Sequence, residues 1–408
     1  MAFSARVIDV DSLASAHREL RKIGSDEQGV RIMAPKGVFR AVKVGGVPLK
    51  AAIILKEEML ARGGEAAVNR GVAGLSVETT DVLLLGTLAQ YRSLLKVLSV
   101  QPFRLREIGR TIAKALDEVE PAARRRVWRC TGRDIALGER TLVMGILNVT
   151  PDSFSDGGRY FGAEEAMDHA RRLVEAGADI IDVGGESTRP GSEGIGAEEE
   201  LRRVLPVVKG IAVEMPRVAV SVDTYRARVA EECIAAGAAI INDISGFQEA
   251  PEIASVVARH GAGAVLMHRQ GRPRDMQVNP SYEDVVPEIL AYLATSVAVA
   301  ENAGCSRDSL MIDPGIGFGK NFDHNLEVLR RLDEFRALGL PLLLGTSRKS
   351  FIGKILDLPA TERAEGTIAT VVLAIARTAV DVVRVHDVKE VARAVRVADA
   401  VSRREDGS

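Results

Sequence analysis

From about residue 141 onward, the chain alternates short apolar runs with longer amphipathic segments. Uninterrupted apolar runs predict strands that are buried on both faces, as in a parallel sheet. These runs fall at 142–149, 180–183, 218–222, 239–244, 264–267, 310–312, 342–344 and 382–385. The amphipathic segments predict helices at 164–176, 198–213, 225–236, 251–260, 282–303, 324–338, 361–379 and 389–401. Eight β–α units over about 265 residues favour an α/β fold with a closed (β/α)8 TIM barrel. An open doubly wound sheet is the alternative, but no Gly-x-Gly-x-x-Gly follows a strand.

Residues 1–125 predict a smaller mixed α/β N-terminal domain, which precedes the barrel domain at 126–408. Within it we expect strands at 6–10 and 81–85, a hairpin at 30–44, and helices at 11–22, 49–61, 88–100 and 104–119. A second hairpin at 127–137, just before the first barrel strand, predicts a plug across the bottom of the barrel. The N-terminal domain carries no catalytic constellation, so its role stays open.

Charge is shared unevenly between the two parts. Residues 1–133 carry 23 Lys and Arg against 14 Asp and Glu, for a net charge of +9, and the remainder carries 31 against 42, for −11. The asymmetry is compatible with a nucleic-acid-binding arm or with a basic module that docks on an acidic one. The positive charges are scattered and accompany no nucleic-acid motif, which favours a protein without a nucleic-acid partner.

Targeting and redox signals are sparse. No run of 18 apolar residues predicts a membrane span, and no secretion signal begins the sequence. The three cysteines, Cys130, Cys233 and Cys305, lack metal-ligand spacing and are typical of reduced thiols. We therefore expect a cytoplasmic protein.

Polar residues follow the apolar runs, where the strands of a barrel end and its active site lies. The candidates are Asn148, Asp156, Asp182, Glu186, Thr188, Arg189, Asp223, Asn242, Asp243, Met267, His268, Asp313, Ser347, Arg348, Lys349, Ser350, Arg384 and His386. Singly, each has a structural explanation: Asp182 or Asp243 could anchor a loop, His268 could be a satisfied core residue, and Arg348 could be a solvated surface charge. A whole ring of such residues instead predicts a polar ligand, because buried polar groups need partners.

Two chemical needs can be separated within the ring. Asp223, Asn242, Asp313 and Lys349 combine donors and acceptors that suit a flat heterocycle with amide and amine edges. Asn148, Thr188, Arg384 and His386 suit an anion, and the Asn148 oxygen could join a phosphate-bridging Mg²⁺. The glycine-rich run at 313–320 lacks the spacing of a nucleotide P-loop.

Residues from about 127 to the C-terminus resemble dihydropteroate synthase of folate biosynthesis, a pterin-binding barrel. The segments that carry the resemblance, in the family's order, are 145–158, 182–191, 221–224, 241–244, 266–268, 313–320, 347–350 and 384–387. The first two are the most specific. Two departures are mild: Ile316 stands where an aromatic residue is common, and Arg269 where an apolar residue is usual. Residues 1–125 lie outside the resemblance.

The resemblance implies a transferase that joins 6-hydroxymethyl-7,8-dihydropterin pyrophosphate to 4-aminobenzoate, releasing pyrophosphate. It implies pterin contacts from Asp223, Asn242, Met267, Asp313 and Lys349, and pyrophosphate contacts from Asn148, Thr188, Arg384 and His386, with Mg²⁺ on Asn148. It further implies 4-aminobenzoate contacts from Phe154, Arg189, Pro190 and Ser350, and catalytic roles for Asp156, Lys349, Arg384 and His386. A homodimer and a sulfonamide target are also implied.

Two other functions remain as alternatives. A pterin-dependent corrinoid methyltransferase would share the pterin cradle but would need no pyrophosphate subsite, so Arg384 and His386 count against it. A non-catalytic pterin-binding protein would be expected to have lost a residue of the ring, and none is missing from the sequence.

Overall fold

The computed structural model describes residues 3–120, 126–150, 161–186, 194–272, 275–377 and 380–403. These residues belong to two compact units, one N-terminal to about residue 123 and one C-terminal to it. We call them the N-terminal unit and the barrel unit. Among the described residues, no helix combines the length and the apolar character needed to cross a membrane.

Within residues 3–120, the N-terminal unit packs five α-helices and a short 3₁₀ helix (Arg70–Val72) with a three-stranded antiparallel sheet in the order β1-β3-β2. Its elements are α1 (Leu13–Ile23), α2 (Glu27–Gly37), β1 (Phe39–Pro48), α3 (Leu49–Leu60), β2 (Glu65–Val68), β3 (Thr79–Thr87), α4 (Leu88–Leu98) and α5 (Leu105–Glu118). Ser12 and Thr87 cap α1 and α4 with reciprocal side-chain bonds. The core is apolar throughout and is centred on Leu55, Leu84 and Leu94.

Two predictions for this unit were wrong. The expected hairpin at 30–44 is instead helix α2, followed by strand β1. Asp26 caps α2 by accepting a hydrogen bond from the Gly29 amide at 2.9 Å, and Val30 and Ala34 bury one helical face. This cap and this spacing outweigh the turn signal of Pro35, which lies in the last turn. Residues 6–10, expected as a strand, have no regular secondary structure, and Val7 is fully exposed.

The hairpin of β4 (Arg126–Cys130) and β5 (Arg133–Leu137) closes the bottom of the barrel, as predicted. Trp128 is completely buried, and its Nε1 donates to the Ser309 carbonyl at 2.8 Å. It packs in one cluster with side chains from the barrel strands, among them Met144, Ile180 and Val265. The plug therefore seals the end of the barrel at which the strands begin.

Eight parallel strands form the barrel, which confirms the predicted fold class. They are β6 (Leu142–Asn148), β7 (Ile180–Gly184), β8 (Ala219–Asp223), β9 (Ile240–Asp243), β10 (Gly263–Met267), β11 (Leu310–Asp313), β12 (Leu343–Leu344) and β13 (Val382–Val385). The order runs β11-β10-β9-β8-β7-β6-β13-β12, and a parallel bridge between Ile312 and Leu342 joins the two ends. Most strand residues are buried on both faces, as their apolar runs predicted.

The surrounding helices follow the predicted order with shifted ends. They are α6 (Phe161–Glu175), α7 (Ala197–Glu214), α8 (Ala227–Ala235), α9 (Glu252–His260), α10 (Val285–Asn302), α11 (Phe322–Arg330), α12 (Ser350–Leu356), α13 (Ala364–Ala376) and α14 (Val388–Ser402). The expected helix at 324–338 is divided into α11 and a 3₁₀ helix, Leu332–Leu338. Helix α12 was not predicted as a separate element, because its seven residues give too short a pattern.

Candidate active site

Polar side chains gather at the carboxyl ends of the barrel strands. Asp182, Asp223, Asn242, Asp313 and Arg384 come from five different strands. Strand register places Asp223 beside Asn242, and Gly184 beside both Asn148 and Asp223. Because parallel strands carry these residues to one end of the barrel, distant parts of the sequence converge on a single polar surface.

Asp182 is the centre of this surface. Its Oδ2 accepts hydrogen bonds from Arg384 Nε at 2.6 Å and from Asn242 Nδ2 at 3.0 Å. Its Oδ1 accepts from Ser221 Oγ at 2.6 Å. The side chain is completely buried. Asp182 was recognised from the sequence only as one member of the ring. Its three partners belong to other strands, so no local pattern could have identified its central position.

Arg384 also donates to Asp223, with 2.8 Å between the guanidinium NH2 nitrogen and Asp223 Oδ2. Burial raises the pKa of Asp223 to about 7, against the opposing effect of the Arg384 charge. Burial by itself would lower the pKa of Arg384, but Asp182 and Asp223 outweigh it and the pKa is raised. The guanidinium therefore stays charged and links the group predicted to bind a heterocycle to the group predicted to bind an anion.

Asp313 ends β11 and begins a glycine-rich turn. Its Oδ1 accepts a hydrogen bond from the Gly315 amide at 2.7 Å. Burial raises the pKa of the Asp313 carboxyl, while the Gly315 amide and the Lys349 charge oppose the shift. Gly315 has φ +67°, and a Cβ atom built on it would lie 1.9 Å from the His268 carbonyl oxygen. Only glycine can occupy this position, which fixes the path of the chain after Asp313.

Lys349 reaches the same turn from the loop after β12. Its ammonium donates to the Ile316 carbonyl and lies 4.2 Å from the centre of the Phe318 ring. Burial lowers the pKa of Lys349 to about 8, although Asp313 favours the charged form. Phe318 was not predicted as a site residue. The sequence signal that could have indicated it is a single aromatic between two glycines, in the run Gly317-Phe318-Gly319.

His386 and Ser347 form a further pair at this end of the barrel. The His386 backbone amide donates to Ser347 Oγ at 3.1 Å, and Ser347 Oγ lies 2.9 Å from His386 Nδ1. One hydroxyl thus orients both the backbone and the ring. Ser350 is the exposed first residue of α12. Arg348, which the sequence left as a possible surface charge, instead forms an ion pair with Asp387, its Nε 3.0 Å from Oδ2.

Asn148 and Met267 occupy the ends of β6 and β10. A Cβ atom built on Gly184 would lie 3.6 Å from both Asn148 Oδ1 and Asp223 Cβ, so these two side chains flank Gly184. Within the described residues, the Asn148 amide side chain makes no hydrogen bond. Met267 is buried and pairs in register with Asp313.

Asp243 has the structural role that was considered for it. It accepts hydrogen bonds from the Ser245 amide at 2.7 Å and the Phe247 amide at 2.9 Å. Burial raises its pKa to about 6. Arg269 and Ile316, the two residues that depart from the pattern of the resembled family, are also buried. Arg269 pairs with Glu249, and Ile316 packs in the barrel core while its carbonyl accepts from Lys349.

Five predicted site residues, Phe154, Asp156, Thr188, Arg189 and Pro190, lie outside the described residues. The other predicted residues are brought to the same end of the barrel. Among the described residues, no three His, Cys, Asp or Glu side chains come together as a metal-binding group.

Comparison with known proteins supports this picture. Residues 144–386 match the model of the family described as pterin binding enzyme. The dihydropteroate synthase of Bacillus subtilis is 52% identical over 263 residues, which cover 64% of this chain and 89% of that protein. A dihydropteroate synthase from Clostridium difficile, crystallised in the presence of pteroic acid, is 48% identical with a TM-score of 0.62 and covers 66% of this chain and 99% of its own.

A further relative extends the similarity beyond the barrel. A probable bifunctional folylpolyglutamate synthase/dihydropteroate synthase of Halobacterium salinarum is 43% identical over 393 residues, which cover 96% of this chain and 46% of that protein. The match therefore takes in most of the N-terminal unit.

A second solved structure is similar to the barrel. A Xanthomonas albilineans dihydropteroate synthase with 4-aminobenzoic acid is 41% identical, has a TM-score of 0.64 and covers 69% of this chain and all of its own.

Proposed function

We infer that the polar end of the barrel is the active site of a dihydropteroate synthase, because the chain belongs to the pterin binding enzyme family. The enzyme joins the hydroxymethyl carbon of 6-hydroxymethyl-7,8-dihydropterin pyrophosphate to the amine of 4-aminobenzoate. The observation that carries the assignment is Arg384, which contacts both Asp182 and Asp223. A residue suited to an anion thus adjoins Asp223, a residue suited to a pterin, as a pterin pyrophosphate requires.

The pterin would be held by Asp223, Asn242, Asp313 and Lys349, with Met267 packed against it. Two carboxylates and an amide offer the acceptors that the amine and amide edges of a pterin need, and Lys349 offers a donor. The burial of Asp223 and Asp313 supports this assignment, because a carboxylate away from water favours a ligand that donates N–H groups to it.

The pyrophosphate would be held by Asn148, Thr188, Arg384 and His386. Arg384 supplies fixed donors close to the pterin pocket, and Ser347 orients the His386 ring. Among these residues the Asn148 side chain fits Mg²⁺ best. It offers an amide oxygen that no described residue occupies, and Mg²⁺ accepts a few oxygen ligands together with phosphate and water. When bound, Mg²⁺ would neutralise charge on the departing pyrophosphate.

The 4-aminobenzoate would be bordered by Phe154, Arg189, Pro190 and Ser350, with Asp156 near the reacting methylene. In the reaction the amine nitrogen forms a bond to the methylene carbon, the carbon–oxygen bond to pyrophosphate breaks, and the amine loses one proton. Pyrophosphate is a good leaving group, so positioning and charge stabilisation contribute more than proton transfer. Arg384, His386 and Lys349 stabilise developing negative charge, and Asp156 favours positive character on the methylene.

The remaining assignments concern the setting of the enzyme. We place it in the cytoplasm as a homodimer that acts on small molecules, and residues 1–125 form an accessory domain that supplies no catalytic group. Support for the last point is the location of all described polar site residues in the barrel unit.

Pyrophosphate release by the purified full chain tests the proposed function. We expect release from the pterin pyrophosphate to depend on added 4-aminobenzoate, and dihydropteroate to form in equal amount. Release that is indifferent to 4-aminobenzoate, or an absence of dihydropteroate, would contradict the assignment. Omission of Mg²⁺ tests the metal separately: we expect weaker binding of the pyrophosphate substrate and unchanged binding of a pterin that carries no phosphate.

A further inference from the structure

The turn that follows β11, residues 314–320, is held largely by side chains, beside one backbone bond from the Phe318 amide to the Gly315 carbonyl at 3.1 Å. Each carbonyl from Gly315 to Lys320 accepts a side-chain hydrogen bond. The donors are Lys320 Nζ to Gly315 (2.9 Å) and Phe318 (3.1 Å), Lys349 Nζ to Ile316, Gln277 Nε2 to Gly317 (2.6 Å), Tyr282 OH to Gly319 (2.7 Å) and Asn325 Nδ2 to Lys320 (3.1 Å). A turn without regular secondary structure is therefore fixed at each residue from 315 to 320.

Lys320 is the innermost of these donors. It is 1% exposed, and its Nζ lies near three acceptors: the carbonyls of Gly315 and Phe318 and, at 2.8 Å, His268 Nδ1. Burial lowers the pKa of Lys320 well below its ordinary value, and the Asp313 charge opposes the shift. By bonding to the carbonyls of both Gly315 and Phe318, the Lys320 nitrogen ties the two ends of the segment 315–318 together.

His268 is suited to the role of acceptor. It follows β10 directly and is buried. Burial, reinforced by the Lys320 charge, lowers its pKa to about 2, so the ring is neutral and Nδ1 can accept. The edge-to-face contact with Tyr292, at 4.7 Å between ring centres, holds the ring in place. Lys320 is thus anchored to the neighbouring strand and not only to its own turn.

The turn has no room to relax toward that strand. A Cβ atom on Gly319 would lie 2.2 Å from the Gln270 carbonyl oxygen, as one on Gly315 would meet the His268 carbonyl oxygen. The same turn begins directly after Asp313 and carries the Ile316 carbonyl that holds Lys349. A displacement of the segment 315–318 would therefore move two groups assigned to the pterin at once.

We propose that Lys320, anchored by His268, is a positioning residue that sets the pterin pocket by fixing the turn between Asp313 and the acceptor of Lys349. This inference rests on the proposed function, because it assumes that Asp313 and Lys349 meet the pterin. Lys320 Nζ has three polar partners within the protein. It acts through the turn and does not contact the substrate.

Calorimetric titration of the full chain with a pterin that carries no phosphate tests the inference. We expect Lys320→Met to raise the pterin Kd by about tenfold to a hundredfold, as loss of an orienting hydrogen-bond partner commonly does. Arg336→Met is the matched control. Arg336 is an equally buried cation, paired with Asp381 at 2.9 Å, where β13 begins at the opposite end of the barrel. We expect this control to lower the Tm and leave the pterin Kd unchanged.

A pair of His268 variants keeps the test decisive if Lys320→Met fails to fold. His268→Gln retains an acceptor oxygen for the ammonium, whereas His268→Leu removes it. We expect pterin affinity to be retained in His268→Gln and lost in His268→Leu. A role in stability alone predicts that both His268 variants and Arg336→Met keep the parental Kd at a temperature well below Tm.

The outcomes separate this inference from the proposed function. If the unaltered chain forms dihydropteroate but Lys320→Met or His268→Leu binds pterin within about twofold of it, the positioning role is wrong and the function stands. If the unaltered chain binds no pterin, the proposed function fails and the inference falls with it. A raised Kd in Arg336→Met would also overturn the positioning role, because any loss of a buried cation would then have the same effect.

Discussion

The two units of the molecule treat charge in opposite ways. In the described part of the N-terminal unit the buried side chains with a polar group are Ser15, Thr80 and Tyr91, whose hydroxyls donate to nearby carbonyls. Its ion pairs are exposed, such as Arg21–Glu27 and Arg104–Glu107, or half-buried, such as Arg62–Glu58. The barrel unit instead buries Asp182, Asn242, Asp313 and Lys320, among others. Burying a charge costs free energy unless it is paired, so such groups mark the part of a protein where function needs them.

The sheets of the two units also differ in how much of each face is buried. Strand β3 of the N-terminal unit alternates exposed and buried residues, and Leu83 on its outer face is 38% exposed. Barrel strands such as β7 are buried along their whole length. A sheet with one solvent-exposed face can pack a hydrophobic core only against its other face. A closed barrel covers both faces and leaves the strand ends as the place for polar groups.

The largest effect should follow from Asp223→Ala. We expect the pterin Kd to rise by more than about thirtyfold, because truncating one member of a buried charge pair costs about 2–5 kcal/mol. The loss includes the bond from Arg384 as well as those from the ligand. Calorimetric titration with a pterin measures it.

The matched control for that variant is Asp179→Ala at the bottom of the same barrel. Asp179 accepts from Arg140 and, at 2.9 Å, from the Val143 amide. We expect it to lower the Tm and leave pterin affinity intact. Retained affinity in Asp223→Ala would show that the pterin pocket is placed wrongly.

Arg384→Ala should come next in size. It removes donors aimed at the developing pyrophosphate charge, which costs about 2–4 kcal/mol in kcat/KM. It also leaves Asp182 and Asp223 without their cation, so pterin binding should weaken as well. Steady-state kinetics with both substrates measure the effect. Arg384→Lys keeps the positive charge but loses the paired N–H donors of the guanidinium, so its kcat/KM should lie between those of the unaltered chain and Arg384→Ala. Unchanged kinetics would remove Arg384 from the site.

A smaller effect concerns pH. Asp223, with its pKa raised to about 7, becomes a full acceptor only as pH rises through 7, whereas Lys349, with its pKa lowered to about 8, loses its charge as pH rises through 8. We expect pterin affinity to be greatest between these values. Because the native state holds the Asp223 proton more tightly than the unfolded chain, this group makes the free energy of unfolding fall as pH rises from about 4 to 7.

The variant Asp223→Asn checks whether Asp223 causes the expected rise in pterin affinity through pH 7. It should bind pterin more weakly, with an affinity that no longer rises through pH 7, and it should lose that part of the pH dependence of stability. If pterin affinity still rises through pH 7 in this variant, the titration belongs to another carboxyl, such as Asp313.

The smallest effect should come from removing the N-terminal unit. A shortened chain that begins at Arg126 should fold and keep kcat and both KM values within about twofold of the full chain, because residues 3–120 bury no charged side chain that catalysis could use. Circular dichroism and the pyrophosphate assay measure this. A soluble, folded barrel without activity would break the comparison between the units, since the N-terminal unit would then contribute to catalysis.

Much of the fold could be predicted because the relevant signals are local. Each barrel strand is an apolar run, and the helices between them have clear amphipathic patterns. The errors arose where two local signals competed. At residues 30–37, for example, Pro35 suggested a turn, yet the Asp26 cap and the buried positions Val30 and Ala34 produced helix α2. Phe318 was missed because its contact with Lys349 joins two strand ends.

The sequence by itself determined the order of the barrel strands, the closed barrel and the set of polar residues at its strand ends, since each depends on composition and spacing along the chain. Only the tertiary structure decided how those residues are connected. Asp182 became the centre of the site because Ser221, Asn242 and Arg384 reach it from other strands, and Arg384 joined two groups that the sequence had kept apart. Lys320 acquired its role from His268, which lies 52 positions earlier. Closure of the barrel determines such distances, and no pattern within one segment of the chain encodes them.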